Sequence, residues 1–334
     1  MSEKVTTSPR PVLSAEANGT PAATARTASL FQSARRELGR NGALILMCLP
    51  GVIVLFIVAY LPMPGLILAF KNYKFATGIW GSEWVGLKNF QFLFSTGDAF
   101  HIIFNTLFLN LLFMTAALVG SLTMAVLLQE IYHRYIAKVY QSILFFPHFI
   151  SWVIVGYFAF AFLNSDTGWV NNALASVGLP GINWYGEAGY WPAILTIISL
   201  WKGLGYFTII YLAGILAINP EYYEAARIDG ANKWQEIWNV TLPMIRPLII
   251  VNVFLAVGRI LYANFDFIFN VTRDASLILP TTNVIDTYVY RSLIAVGNYN
   301  LASAAGFFQA TVGLALIILA NWIVRRFEPE QALF

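Results

Sequence analysis

The residues able to do chemistry in this chain are few, and they sit among apolar neighbours. Arg259, Tyr262, Asn264 and Asp266 fall in one stretch, Gly258-Arg259-Ile260-Leu261-Tyr262-Ala263-Asn264-Phe265-Asp266. A guanidinium held in hydrocarbon costs at least about 2.5 to 3.5 kcal/mol and needs a partner or water. A ligand carboxylate, taken bidentately, would serve. So would Asp266, two turns along the same face of a continuous helix, or a residue of another subunit. The sequence leaves these open. Lys202, in Trp201-Lys202-Gly203-Leu204-Gly205-Tyr206, poses the same question, with a structural use the stronger reading. Trp152, Trp201, Tyr206, Tyr262 and Asn264 combine flat apolar faces with neutral polar groups, the chemistry of a wet path for a hydroxyl-rich ligand. Most aromatics in such a chain simply pack or anchor.

Other chemistries are excluded or unsupported. The sequence has no Gly-Lys dipeptide, so a phosphate-binding loop for ATP hydrolysis is ruled out. His101, His133 and His148 have no companions at metal-ligand spacing, no metal is expected, and Gly-x-Ser-x-Gly is missing. The lone Cys48 has no disulfide partner in the chain. A net charge of +3, with the basic residues beside apolar runs, does not suit nucleic acid. No catalytic constellation emerges, and the chain does not read as an enzyme.

The elements that must position these residues are membrane helices. Hydrophobic residues make up 58% of the chain and charged residues 11%, with a mean hydropathy of +0.65. Spanning about 30 Å of hydrocarbon takes roughly 20 apolar residues. Runs of that kind lie at 43–70, 102–129, 140–163, 191–218, 247–271 and 302–324. The fifth is the least apolar and must face protein or water along one side. Residues 1–40, rich in Ser, Thr, Ala and Pro, read as a disordered, basic cytoplasmic tail that is retained, and 328–334 as a short cytoplasmic C-terminal tail around a membrane domain at 41–327.

Placing the N-terminus inside puts Arg35, Arg36, Arg40, Arg134, Lys138, Arg227, Lys233, Arg246, Arg325 and Arg326 in cytoplasmic segments. Lys71, Lys74, Lys88, Arg273 and Arg291 are then outside. The positive-inside rule therefore favours an all-α, six-span integral membrane protein with both termini inside.

The segment 219–247 is then cytoplasmic. Pro220 followed by acidic residues starts a helix and Gly230 stops it; a second short helix from about Asn232 to Val240 is expected to end before Leu242-Pro243. Tyr223, Trp234 and Trp238 would be its aromatic knobs. A helix lying flat on the inner leaflet is disfavoured, because Glu221, Glu224 and Asp229 outnumber Arg227.

Glu224-Ala225-Ala226, then Asp229-Gly230-Ala231 and Leu242-Pro243, resemble the Glu-Ala-Ala loop of binding-protein-dependent import permeases. Trp84-Val85-Gly86-Leu87-Lys88-Asn89-Phe90, Asn105-Thr106-Leu107, Phe146-Pro147-His148-Phe149-Ile150-Ser151-Trp152 and Tyr288-Val289-Tyr290-Arg291 are similar to the oligosaccharide and polysaccharide branch, the relatives of the maltose permease. The resemblance spans roughly residues 40 to 334. It implies a type I ABC importer permease fold in the bacterial inner membrane, working by alternating access, with Glu224, Ala225, Ala226, Asp229, Gly230, Ala231, Leu242 and Pro243 facing an ATPase. The implied partners are a second, homologous permease, two ATP-binding subunits that carry the ATP and Mg, an extracytoplasmic solute-binding protein, a saccharide and membrane lipid. The chain itself is expected to hold no cofactor. Arg259, Tyr262 and Asn264 depart from the small residues expected there, which points toward an acidic, uronate-type saccharide such as alginate. A neutral oligosaccharide, or transport without ATP, are the alternatives.

Overall fold

The computed structural model describes residues 41–91, 97–131 and 133–327. The tails expected at 1–40 and 328–334 lie outside them. Among the described residues, five helices are long and apolar enough to cross a membrane, and six spans result when one bent pair is counted as a single crossing. The α-helices longer than one turn follow one another in chain order. They are α1 Asn41–Phe70, α2 Gly97–Gln129, α3 Arg134–Phe145, α4 Trp152–Leu163, α5 Trp169–Ser176, α6 Trp191–Leu216, α7 Pro220–Ile228, α8 Lys233–Gly258, α9 Phe265–Thr272, α10 Ile285–Ile294 and α11 Tyr299–Phe327.

The described residues up to Pro64 and those from Gly65 onward belong to two separate units. The first contains most of α1, whose most apolar window has no buried residue. In the second, a hairpin of β1 Lys71–Asn72 and β2 Glu83–Trp84 follows directly on α1, with Lys71 opposite Trp84. Three apolar clusters lie among α2 to α11. One is built on Trp191, Leu195, Phe267 and Val271, one on Leu128, Tyr211, Ile215 and Ile245, and one on Ile102, Leu261, Ile285 and Ala305. Small residues set the closest approaches: a Cβ on Gly205 would lie 2.1 Å from the Leu144 carbonyl oxygen, and one on Gly156 would lie 2.5 Å from that of Asn270.

Three expectations need correcting. The run 140–163 is not straight, because Tyr135–Phe149 and Trp152–Leu163 meet at 96°. Pro147 supplies no N–H to a helical ladder, Ile150 is extended, and Ser151 restarts the chain by accepting the Ile154 N–H. The run 247–271 is not one helix. The span is α8, which stops at Gly258, and α9 starts only at Phe265. Finally, Leu242-Pro243 does not end a helix. A wide turn at Ile237–Thr241, closed by the Leu242 N–H on the Ile237 carbonyl, carries the chain past Pro243, so α8 is continuous from Lys233.

Candidate functional site

The break between α8 and α9 organises the interior. Its backbone groups, freed from a helical ladder, are taken by side chains of three other helices. The Asn110 amide of α2 donates to the Ile260 carbonyl at 2.9 Å, and the Gln309 amide of α11 donates to that of Leu261 at 2.9 Å. The Ala263 N–H donates to the Asp286 carboxylate of α10 at 2.8 Å. Asn264 caps α9 by accepting the Phe267 N–H. Unwound backbone inside a membrane persists only where protein satisfies it in this way. Burial pushes the Asp286 carboxyl up to about 6, against the pull of the Ala263 and Gln309 hydrogen bonds.

The framed segment presents Arg259 and Tyr262 to a cavity of about 240 Å³, whose polar lining includes Asn110, Ser121, Ser199 and Asn252. Arg259 is exposed and has no carboxylate partner among the described residues. The pairing with Asp266 considered above does not occur, since the seven-residue spacing matters only along an unbroken helix. Asp266 is itself exposed and in α9.

The other aromatic and cationic residues are placed differently. Lys202 is buried and donates to the Pro147 and His148 carbonyls at 3.3 and 2.8 Å, with its ammonium 4.9 Å from the Trp152 ring centre. It stitches the 96° elbow. Trp152 packs on Phe267 at 4.3 Å, and Tyr206 stacks on His148 at 5.0 Å. Trp201 faces a separate, wholly apolar groove with Phe146, Phe158 and Phe162. Of the eight residues proposed for a ligand path, the structure brings only Arg259 and Tyr262 to this cavity. Sequence reasoning misses the amides Asn110 and Gln309, although an amide inside an apolar run is a readable signal; Asn252 enters it only as a polar residue of the fifth run, which must face protein or water.

The loop after α6 is a built unit. Asn219 caps α7, and Gly230 is left-handed at φ 83° and lets the Ala231 N–H return to the Ala226 carbonyl. Asn232 and Gln235 form a reciprocal cap at the start of α8. Buried Glu236 binds Arg227 at 2.8 Å and Lys233 at 3.3 Å, and Lys233 reaches Glu130, just beyond α2, at 2.9 Å. The Glu236 hydrogen bond holds the Arg227 guanidinium above its ordinary range. Tyr223 turns inward, its hydroxyl 3.1 Å from Thr241, so the exposed aromatics are Tyr222, Trp234 and Trp238. Glu224, Ala225, Asp229, Gly230 and Pro243 are exposed, while Ala226, Ala231 and Leu242 are half-buried.

Residues 117–332 match the model of the binding-protein-dependent transport system inner membrane component family. The chain is 36% identical over 293 residues to protein LplB of Bacillus subtilis, covering 88% of this chain and 92% of that one. It is 37% identical over 292 residues to the polygalacturonan/rhamnogalacturonan transport system permease protein YteP of the same organism, covering 86% and 89%. Among solved structures, a bacterial ABC transporter involved in import of the acidic polysaccharide alginate has a similar chain. Its TM-score is 0.80 at 35% identity, over 89% of this chain and 99% of that one. A bacterial alginate ABC transporter in complex with an alginate pentasaccharide-bound periplasmic protein matches at 0.79 and 35%, over 87% and 97%.

Proposed function

Because the chain belongs to the binding-protein-dependent transport system inner membrane component family and is an oligo- or polysaccharide permease of an ABC importer, we propose that its cargo is an acidic, uronate-type saccharide such as alginate. The observation carrying this reading is Arg259, a cation without a carboxylate partner among the described residues, held beside hydroxyl and amide groups in an interior cavity. A guanidinium there offers two parallel donors to a uronate, and Tyr262 offers a flat face and a hydroxyl.

The chain sits in the bacterial inner membrane, and its energy comes from a separate ATPase that binds ATP and Mg. Glu224 to Pro243 is the coupling surface in this reading. Exposed α7 and the aromatics Tyr222, Trp234 and Trp238 face the ATP-binding subunit. The ion pairs of Glu236 tie α7 to α8, and α8 runs about 34 Å from there to the Arg259 break. A displacement of α7 therefore reaches the cavity wall through one helix, as alternating access requires. A second permease completes the pore, a second ATP-binding subunit pairs with it, and a solute-binding protein delivers cargo from outside.

The test is uptake by the complete importer in proteoliposomes. Arg259→Gln and Arg259→Met are expected to lower uptake of a uronate oligosaccharide relative to its carboxyl-reduced counterpart; equal uptake of both by these variants, at wild-type rates, would overturn the acidic reading. Glu224→Ala and Gly230→Pro are expected to abolish ATP-driven uptake and weaken copurification of the ATPase. Retention of both properties would overturn the coupling reading.

A further inference from the structure

The C-terminal end of α9 carries a second cation in an unusual setting. Arg273 and Asp274 are the two described non-glycine residues with positive φ, at 55° and 50°. A helix commonly closes on glycine in that conformation, because a Cβ there is strained. Here an arginine occupies it, and neighbouring contacts hold the turn. Asp274 is paired with Arg291, which also hydrogen-bonds Asn283. The Tyr185 hydroxyl donates to the Val271 carbonyl at 3.1 Å.

The left-handed turn aims Arg273 across α4. Its guanidinium lies 4.3 Å from the Phe160 ring centre and 6.0 Å from that of Tyr157. It opens on a cavity of about 230 Å³ shared with Tyr157, Phe269 and Asn270. The floor is fixed, since Gly156 lets α4 and α9 touch at Asn270. The Asn270 amide nitrogen donates to the Asp266 carbonyl, which leaves its side-chain oxygen to accept a hydroxyl. Arg273 has no carboxylate partner among the described residues.

We propose that Arg273, Tyr157 and Asn270 form a separate site for a carboxylate-bearing sugar residue, on the outer side of the membrane, distinct from the cavity at Arg259. The chemistry is complementary: a guanidinium edge for the carboxylate, a ring face for the sugar, an amide oxygen for a hydroxyl. The Phe160 ring, its centre 4.3 Å from the guanidinium carbon, offers the cation an aromatic partner that does not neutralise its charge. The eight residues of α9, about 12 Å of helix, separate this site from the break at 259–264. The two cations thus lie beyond opposite ends of α9. This site rests on the reading that the cargo is acidic.

The test compares Arg273→Gln, Arg273→Lys and Arg273→Gly in the complete importer, with a uronate pentasaccharide and its carboxyl-reduced form. Glycine suits the left-handed turn, so that variant removes the side chain without straining the backbone. The expected result is a KM for the uronate raised roughly 3- to 10-fold by glutamine and glycine, a smaller rise with lysine, a maximal rate within about twofold of wild type, and unchanged handling of the reduced sugar. An unchanged KM overturns the site. Equal losses for both sugars, or loss of subunit copurification, overturn it too and make Arg273 a packing residue. Wild-type importer that fails to distinguish the two sugars refutes the acidic cargo itself. Discrimination that disappears in Arg259→Gln but survives in Arg273→Gln refutes only this site.

Discussion

Lys202 and Arg259 are two membrane cations with opposite fates. The Lys202 ammonium has two carbonyl acceptors and an aromatic ring, whereas Arg259 has no carboxylate partner among the described residues. Lys202→Met should therefore leave the cargo KM unchanged while destabilising the elbow by about 1 to 2 kcal/mol, since the partly buried His148 carbonyl loses the ammonium and the Pro147 carbonyl keeps only the Ile150 N–H. The thermal midpoint of the purified complex would show it, and a selective rise in KM would contradict it. Asp286 makes a pH-dependent counterpart. Its carboxyl has a pKa of about 6 in the fold, above the ordinary 3.8, so its contribution favours the fold when protonated and declines as pH rises through that window. Asp286→Asn retains an acceptor for the Ala263 N–H and has no charge to bury. Its thermal midpoint relative to wild type should be higher at pH 7.5 than at pH 5, and a pH-independent difference would refute this. Sequence alone favours a structural use for Lys202 without finding its acceptors, which lie 54 and 55 residues away, and leaves Arg259 open, because Arg259 and Asp266 are spaced for contact only if no helix break intervenes.

At the level of elements, the legible features were local and the hidden ones were tertiary. Asn219, Pro220 and Gly230 delimit α7 by chemistry within a few residues, and the structure places the helix at Pro220–Ile228. The elbow between Phe149 and Trp152 and the break after Gly258 lie inside runs long enough to span, where Pro147 and Arg259 are local irregularities but fix neither the bend nor the break. They depend on Lys202, Asn110, Gln309 and Asp286, each far away in sequence. The same applies to Glu236, whose role rests on Arg227 and Lys233 meeting it in space. Glu236→Ala should weaken the junction of α7 and α8 by about 1 to 2 kcal/mol, a modest figure because both cations are more than half exposed and screened. Uptake per ATP hydrolysed should fall while the subunits still copurify; unaltered stoichiometry would contradict it. Gly205→Ala is harsher, as its Cβ would meet the Leu144 carbonyl at 2.1 Å. Shifting α3 from α6 to relieve that clash costs about 1 to 3 kcal/mol or more, to be read as lower yield of folded complex.

Across the whole molecule, the order of the spans along the chain acquires a meaning in biosynthesis. A lysine near the middle of an apolar span opposes its own entry into the bilayer, by about 2.5 to 3.5 kcal/mol on insertion scales. Lys202 lies within the span Ala188–Leu216, and its acceptors, the carbonyls of Pro147 and His148, belong to the crossing made just before it. Synthesis from the N-terminus lays down those acceptors first. The kinked third crossing is thus a prepared berth: by the time the ribosome delivers the charged fourth segment, the groups that neutralise its cost already wait in the membrane.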